Sequence, residues 1–515
     1  MRRFVWILLC CSLTLSLFAG CGGNQKEYTP TGDGLSWDDE TTPVQTQKPE
    51  EEQALTLIYY PDRSMNPITC TDFTNRALFS LLYQGLFAVN RDYQVEPVLC
   101  SKYSMSEDMK TYTFYIENAT FSNGKKVTAE DVLASLLAAK ESDYYGGRFH
   151  YVSEMVLSED GGVTVRLNTA YEDLPLLLDI PIIPQSQLES DTPSGTGPYV
   201  LSGKQLIRRM NWWCNAEMTI TAPAITLVEA ENPAQIRDEF EFRDLSLVCA
   251  DPGSDRYADY RSDYELWDCE NGIFLYLTFS KGSEVFKDVK MRAALTHAID
   301  RNKLVKEYYR GFARSATLPA SPLFPYYSQT LAEKYEYAPR KFAQVVKDLE
   351  LRDSKVSLLV NKEDTLRLRV ARAIAKMISD CGLDVEMLEL SGNDYMYALQ
   401  TWNFDLYVGQ TKLSANMDLS AFFSTYGELS YGGVNDVTTY ALCQQALENH
   451  GNYYTLHQNI MDNGLVCPVL FRSYAVYATR GLLTGLTPSR DNVFYYSLGK
   501  TMDKARMPVT QNTQE

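Results

Sequence analysis

Apolar and polar positions recur with two different periods along this chain, and the change of period separates strands from helices. Residues 55–60, ending in Tyr59 and Tyr60, form a β-type run that stops at Pro61. Asn66-Pro67 is a turn signal, after which residues 72–87 place Phe73, Ala77, Leu78, Leu81 and Leu82 on one helical face. Residues 112–116 read as a strand and Asn123-Gly124 as a tight turn. A helix then begins within residues 127–132, where Thr128 and Asp131 have the spacing of a capping box. Residues 163–167 alternate apolar and polar, as a half-buried strand does.

The second half repeats one motif. Residues 356–360 predict a strand. Residues 364–380 predict an amphipathic helix carrying Leu366, Val370, Ile374, Met377, Ile378 and Cys381 on one face, closed by Gly382 in the C′ role. A strand over 384–390, a helix over 394–401 and a strand over 405–409 follow. Strands and helices alternating through short connections imply a parallel sheet covered by helices, hence an α/β lobe. Upstream, Asp288 and Asp300 precede helical runs over 289–299 and 301–309, where each carboxylate can accept orphan backbone N–H groups, and Gly311 stops the second run. The sequence shows no internal repeat.

The N-terminus changes the picture of location. Arg2 and Arg3 precede an apolar stretch over residues 4–18, and Ala19 and Gly20 stand before Cys21. The stretch is shorter than the roughly 18–20 apolar residues that cross a bilayer. It resembles a bacterial lipoprotein lipobox, with Phe18 where an aliphatic residue is usual. That resemblance implies a signal peptide over residues 1–20 and diacylglycerol on the Cys21 thiol, with ordinary cleavage and a free protein as the alternative. Residues 21–53 are rich in Gly, Thr, Pro, Gln and acids, too polar to offset their ordering entropy, and are expected to be a disordered tether. Roughly 450 residues remain, too many for one core and suited to two or three lobes.

A formal net charge of −18 argues against nucleic acid and an anionic membrane face as partners, since both require clustered Lys and Arg. The 35 tyrosines suit wet recognition surfaces as well as sheet faces. Of 11 cysteines, Cys10, Cys11 and Cys21 lie in the leader; the others are scattered without a C-x-x-C pair, so free buried thiols are expected, with Cys249 and Cys269 as the pairing candidate. No nucleophile elbow, zincin motif, P-loop or dinucleotide fingerprint occurs, and no cofactor or metal is expected. His150, His297, His450 and His457 are scattered; His450 and His457, seven residues apart without a third ligand, make a weak metal pair.

Several short segments, in order, carry a family resemblance. They are Met65-Asn66-Pro67, residues 82–87, Tyr112 to Phe114, Asn123-Gly124 leading into 127–132, Gly195-Thr196-Gly197-Pro198-Tyr199, Phe286-Lys287-Asp288, and residues 292–301. Together they resemble the family 5 extracellular solute-binding proteins of ABC importers, the peptide, oligopeptide and nickel type. The resemblance implies a class II periplasmic-binding-protein-like α/β fold of two lobes with a subdomain inserted in lobe one. It places lobe one at residues 54–69, 185–271 and 472–503, the insert at 70–184, lobe two at 272–471, and a disordered tail at 504–515.

The implied function is capture without chemistry: a monomeric, lipid-anchored receptor outside the cell membrane binds a peptide or similar small polar solute between its lobes. Hinge closure then presents the solute to ABC permease subunits. The alternatives are a sensor or adhesin without transport, and a carboxylate-dependent hydrolase. Ligand-binding candidates implied by the alignment are Asn66, Tyr276, Gln410, Lys412, Asn416 and Asp418, with a packing or surface role as the competing reading for each. Lys412 stands where the family often has an aromatic residue and Ala415 where it often has the aspartate that holds a peptide's amino group. Asp418 is a substitute for that anchor or the N-terminal cap of a helix entered at Leu419. Gly195 and Gly197 permit a sharp turn and Pro198 fixes φ before a strand starting at Tyr199, a structural device.

Overall fold

The computed structural model describes residues 55–500, apart from 215, 217, 219, 255, 256, 258, 262 and 484, together with the backbone of 504–507. The leader, Cys21 and the expected tether lie outside the described residues. Among the described residues, no helix is long and apolar enough to cross a membrane.

Among the described residues, three larger sheets organise the chain, beside the two-stranded pair Phe87–Val89 and Val95–Pro97. In the four-stranded sheet, Leu55–Ile58 pairs parallel with Ala224–Val228, followed by Gln205–Arg208 and Tyr199–Ser202. A five-stranded sheet contains Cys100–Ser106, Thr111–Ile116, Val163–Leu167 and Val152–Leu157 as antiparallel neighbours. Its fifth strand is Lys504–Met507, parallel to Cys100–Ser106. That strand begins the segment expected to be a disordered tail; the open edge of Cys100–Ser106 offers unpaired backbone groups, which the tail fills.

The seven-stranded sheet is mixed. Lys355–Asn361 runs parallel to both Asp384–Leu390 and Leu406–Lys412, the arrangement that the strand-helix alternation implied. Leu406–Lys412 then pairs antiparallel with Tyr264–Phe279, which pairs with Cys467–Thr479. Both faces are buried. Leu275, Leu277 and Phe279 enter one apolar cluster with the helices Val289–Ala294, Arg301–Tyr308, Pro339–Asp348 and Thr365–Ser379. Phe274 and Tyr276 enter another with Gly392–Gln400, Val437–Glu448 and Asn452–Asp462. A period of two with both faces apolar is the mark of a strand between helical layers.

Local signals explain the helix ends. Thr128 and Asp131 form a complete capping box at Ala129–Lys140. Asp288, Asp300 and Asp364 each accept a first-turn backbone N–H. Gly382 has a φ of +107° but falls one residue beyond C′, because Asp380 is the C-cap.

The helix expected over 72–87 is instead two short ones, Phe73–Ala77 and Phe79–Leu82, and Phe87 already belongs to the strand Phe87–Val89. A tertiary contact stops it. The Leu82 carbonyl accepts the Gly197 N–H at 2.9 Å, and Gly85 bridges to Pro181 so closely that a Cβ would meet the Ile180 carbonyl at 2.8 Å.

The eight described cysteines are free thiols. Cys249 and Cys269 face Val476 and Tyr474 on opposite sides of Cys467–Thr479. With a strand between them, their Cα atoms are separated by roughly twice the ~4.8 Å strand spacing, beyond the ~7 Å limit for a disulfide.

The Gly195 to Tyr199 segment is a packed knot. The Thr196 carbonyl accepts Trp212 Nε1 at 2.9 Å and Trp213 Nε1 at 3.1 Å, and the Gly197 carbonyl accepts Arg209 Nη1 at 3.0 Å. A Cβ at Gly195 would collide with the Leu82 carbonyl. Gly195→Ala is therefore expected to destabilise the fold by about 1–3 kcal/mol or more through overpacking, read as a lower midpoint in thermal unfolding. An unchanged midpoint would contradict this packing account.

Candidate functional site

Tyr264–Phe279 and Cys467–Thr479 run through the expected lobe boundaries at 271/272 and 471/472. Their pairing shifts register between Glu270 and Phe274. At this irregularity Gly272 takes a φ of +73°, and a Cβ there would occupy the place of the Arg490 guanidinium. Leu413 N–H bonds the Gly272 carbonyl at 3.0 Å, and Arg490 Nη2 donates to the Leu413 carbonyl. The end of Leu406–Lys412, the strand kink and Arg490 thus form one joint.

Arg490 and Asp491 sit at the tip of a turn closed by mutual backbone bonds between Ser489 and Asn492 and anchored by Tyr474 OH on the Ser489 carbonyl at 2.6 Å. Asp491 is the charge centre of the region. Its carboxylate pairs with Lys412 Nζ and accepts Tyr144 OH at 3.0 Å, with Arg148 Nη2 at 3.6 Å and Arg490 Nε at 3.4 Å. Burial opposes its charged form, but Lys412, Arg490 and Arg148 together hold the carboxyl well below the usual range. Tyr144 joins the same network: its hydroxyl accepts Lys412 Nζ at 2.8 Å, and the Arg76 guanidinium lies over its ring at 3.4 Å from the centroid. Arg148 also pairs with Asp179. Four cations, Arg76, Arg148, Lys412 and Arg490, therefore surround two carboxylates, a locally positive region in an acidic chain.

Two cavities border this cluster. One, of about 730 Å³, is lined by Arg76, Tyr83, Gln84, Arg148, Asp179 and Asp491 among others. The second, of about 430 Å³, lies between residues 89–93, 268–270 and 488–490, with Arg314 and Leu323; Val89 walls both. Beside the second, buried Glu270 accepts Tyr93 OH at 2.9 Å and Ser321 Oγ at 2.5 Å. Burial raises its pKa against those hydrogen bonds and the nearby Arg490.

Among the sequence-predicted residues, Lys412 enters the charge cluster. Gln410, two residues earlier, accepts Arg472 Nη1 at 3.3 Å, and Arg472 pairs with Asp251. Asn416 and Asp418 shape the turn into Ser420–Phe423. Asp418 Oδ1 accepts Ser420 N–H at 3.0 Å and Ser420 Oγ at 2.5 Å, and the Asn416 carbonyl accepts Tyr453 OH at 2.7 Å. The Ser420 hydroxyl in turn meets Tyr151 OH, so Asp418 also supports a contact with residues of the expected insert. Burial raises the Asp418 pKa, while its bonds to Ser420 and the proximity of His150 work the other way.

Tyr276 is buried in the sheet, stacked on Phe274 and edge-on to Phe422, with its hydroxyl 3.3 Å from that of Tyr407. Asn66 spends its side chain on backbone: Nδ2 donates to the Leu188 and Ser190 carbonyls, and Oδ1 accepts Ile68 N–H. The structure does not bring these two to the cavities. His450 faces Asp173 at 3.3 Å and stacks on Tyr326, while His457 is buried without a polar partner and burial lowers its pKa to about 3. Among the described residues, no group of three or more His, Cys, Asp or Glu is placed to hold a metal.

Sequence reasoning missed Arg76, Tyr144, Arg148, Arg490 and Asp491. Tyr144 and Asp491 are 347 positions apart, so no local spacing links them. The adjacent Arg490-Asp491 pair in an otherwise apolar and polar-neutral stretch was the one available signal.

Charged cavities thus border a kink in two long strands of a mixed α/β fold. Residues 94–432 match the family described as bacterial extracellular solute-binding proteins, family 5 Middle, and the chain belongs to that family. It is 27% identical over 346 residues to the dipeptide-binding protein of Escherichia coli (strain K12), covering 58% of this chain and 64% of that protein. It is 23% identical over 340 residues to the nickel-binding protein NikA of Staphylococcus aureus, covering 63% of this chain and 68% of that one. The crystal structure of NikA from Brucella suis in complex with Fe(III)-EDTA superposes with a TM-score of 0.67 at 17% identity, covering 85% of this chain and 98% of that one. These relatives are solute-binding proteins, and proteins of this family are extracytoplasmic.

The Asp491 cluster generates a pH prediction. A carboxyl held below its unfolded pKa adds stability above about pH 4, and that stability is lost as pH falls toward the folded value. Asp491→Asn is expected to lose about 3 kcal/mol or more at pH 7, leaving buried cations unpaired. Between pH 5 and pH 3 the variant's unfolding midpoint should fall less than the wild type's. Parallel pH profiles of the two proteins in thermal unfolding would refute the role given to Asp491.

Proposed function

We propose that this chain is the lipid-anchored receptor of an ABC importer, taking a peptide or similarly sized polar solute between its lobes. The observation that carries the reading is the charged, cavity-bearing joint at Gly272, Lys412, Arg490 and Asp491 in a chain of the family 5 fold. Lobe one is taken as residues 54–69, 185–271 and 472–503, the insert as 70–184, and lobe two as 272–471.

Contacts between insert and lobe two, such as Gln444 Nε2 to Thr169 Oγ1 at 3.1 Å and Glu172 N–H to the Leu447 carbonyl at 3.2 Å, support a closed form held from both sides. A solute that adds contacts to both lobes shifts the balance toward that form, and the permease reads it. The protein acts as a monomer, tethered through Cys21 and residues 21–53, and performs no covalent step. Gln410, Lys412, Asn416 and Asp418 line or support the seam in this reading, whereas Asn66 and Tyr276 serve the packing.

Isothermal calorimetry against peptide pools and growth-medium extract is expected to give saturable heat, with mass spectrometry identifying what co-purifies. Absence of heat and of thermal shift with every pool would overturn the receptor reading. For the anchor, metabolic labelling with palmitate should mark the wild type and not Cys21→Ser; equal labelling would place the lipid elsewhere.

A further inference from the structure

Two of the chain's four histidines stand on opposite sides of one junction, each facing a carboxylate of the other side. The junction joins residues 150–173, taken above as part of the insert, to residues 416–450, taken as part of lobe two. His450, between the helices Val437–Glu448 and Asn452–Asp462, has Nε2 3.3 Å from Asp173 Oδ2, with the side chains 17% and 30% exposed. His150 precedes Tyr151, whose hydroxyl meets Ser420 Oγ. The same Ser420 hydroxyl donates at 2.5 Å to Asp418, whose charged form His150 favours.

Both sides are held in place by other contacts, so ring and carboxylate meet only while the junction is shut. Tyr112 OH donates to the Tyr171 and Glu172 carbonyls at 2.5 and 2.8 Å, which fixes the Asp173 side to the five-stranded sheet. On the other side His450 stacks on Tyr326 at 4.2 Å between centroids, and Tyr326 stacks on Tyr453. Leu447 enters the apolar cluster of the opposite side with Tyr171 and Leu174. The Glu172 N–H to Leu447 and Gln444 to Thr169 bonds cross at the same place.

The surrounding charges decide the sign of a pH response. Glu172 adds a second carboxylate beside Tyr326, and Glu448 stands two residues before His450. Tyr440, Cys443 and Tyr453 face Asp418, and burial keeps each of them neutral by raising its pKa. His457, 5.8 Å from the Tyr453 ring, also stays neutral, its pKa lowered to about 3. The ionised neighbours of the two imidazoles named here are all carboxylates. His297 stands apart, bonded through Nδ1 to the Glu336 carbonyl.

We propose that this junction is a proton-operated clasp: acidification charges His450 and His150, and each then holds the carboxylate across from it more strongly. The inference rests on the receptor reading above and adds to it a control of closure by pH. A neutral imidazole donates one N–H, whereas an imidazolium donates two and brings a charge, and charge-assisted bonds are about twice as strong. Histidine ordinarily gains its charge between about pH 8 and pH 5. The added hold is therefore present at pH 5.5 and lost as pH rises past 7.5. Near pH 4 aspartates themselves begin to protonate, and burial makes Asp418 do so at a higher pH than an ordinary aspartate. Closure is thus favoured most in a mildly acidic medium, where a solute that binds the shut form has less of the equilibrium left to shift.

The test is hydrogen exchange on the full chain without solute, read by mass spectrometry at pH 5.5 and 7.5 and corrected for the intrinsic pH dependence of exchange. The reporter is the Glu172 amide, bonded across the junction; amides of Lys355–Asn361, inside the mixed sheet, are the reference. Protection of the reporter relative to the reference is expected to be roughly 2- to 5-fold greater at pH 5.5, the factor that a partly exposed ion pair supplies. His450→Gln and, separately, Asp173→Asn should each remove most of that gain, whereas a merely structural contact would lower protection equally at both pH values. Equal relative protection of the wild type at the two pH values would overturn the clasp, and so would a gain that survives in both variants. Either result leaves solute binding, read by the calorimetry above, untouched; failure to bind any solute would end the receptor reading while the pH effect on the junction stayed measurable.

Discussion

Burying the Asp491 carboxylate costs free energy that only nearby cations offset, and two of the three, Lys412 and Arg148, come from distant stretches of the chain. Desolvating one ion costs about several kcal/mol, so the folded arrangement is favourable only with Lys412, Arg148 and Arg490 in place together. The first lies at the end of a strand in the mixed sheet, the second just after the helix Ala129–Lys140, and the third beside the carboxylate itself. A single buried charge therefore ties together the mixed sheet, the segment around Arg148 and the turn at Arg490.

The groups around this joint are of two kinds. Some are fully satisfied and rigid. Arg301 is buried without a carboxylate partner, yet its guanidinium donates to the Ala316, Pro468 and Thr296 carbonyls and to Thr296 Oγ1, tying a helix to the sheet. The Thr196 and Gly197 carbonyls are saturated in the same way by Trp212, Trp213 and Arg209. Others lack a hydrogen-bond partner, both at the kink, as Arg490 Nη1 and Arg314 Nε do, and in the body, as Thr278 Oγ1, Tyr309 OH and the His457 ring do.

The same fold serves a dipeptide-binding protein in one relative and a nickel-binding protein in another. The scaffold alone does not select a solute; the side chains at the seam do. In this chain the seam is locally cationic although the whole molecule carries a formal net charge of −18. A long-range field and a local site can differ in sign because solvent screens distant charges over roughly 8 Å at physiological salt, while buried neighbours act almost unscreened.

Much of the scaffold was legible in the sequence. The strands near 356–360, 384–390 and 405–409, the helix at Thr365–Ser379 and the caps at Asp288, Asp300 and Asp364 follow from local periodicity and short-range hydrogen bonding, which nearby residues determine. The ordered motifs carried the family. Where a distant segment intervened, local rules failed: the helix expected over 72–87 broke because Gly197 claims the Leu82 carbonyl, and Cys249 and Cys269 stayed apart because a strand runs between them. Of the candidates that the family resemblance implied, Lys412 lies in the charge cluster, with Gln410 two residues before it and Asn416 and Asp418 in the turn that follows. The sequence could not supply Asp491 as their counterpart, since a pairing across 79 positions, or 347 to Tyr144, leaves no periodic trace. Short-range forces write secondary structure into neighbouring residues; the charge cluster exists only once the chain has closed on itself.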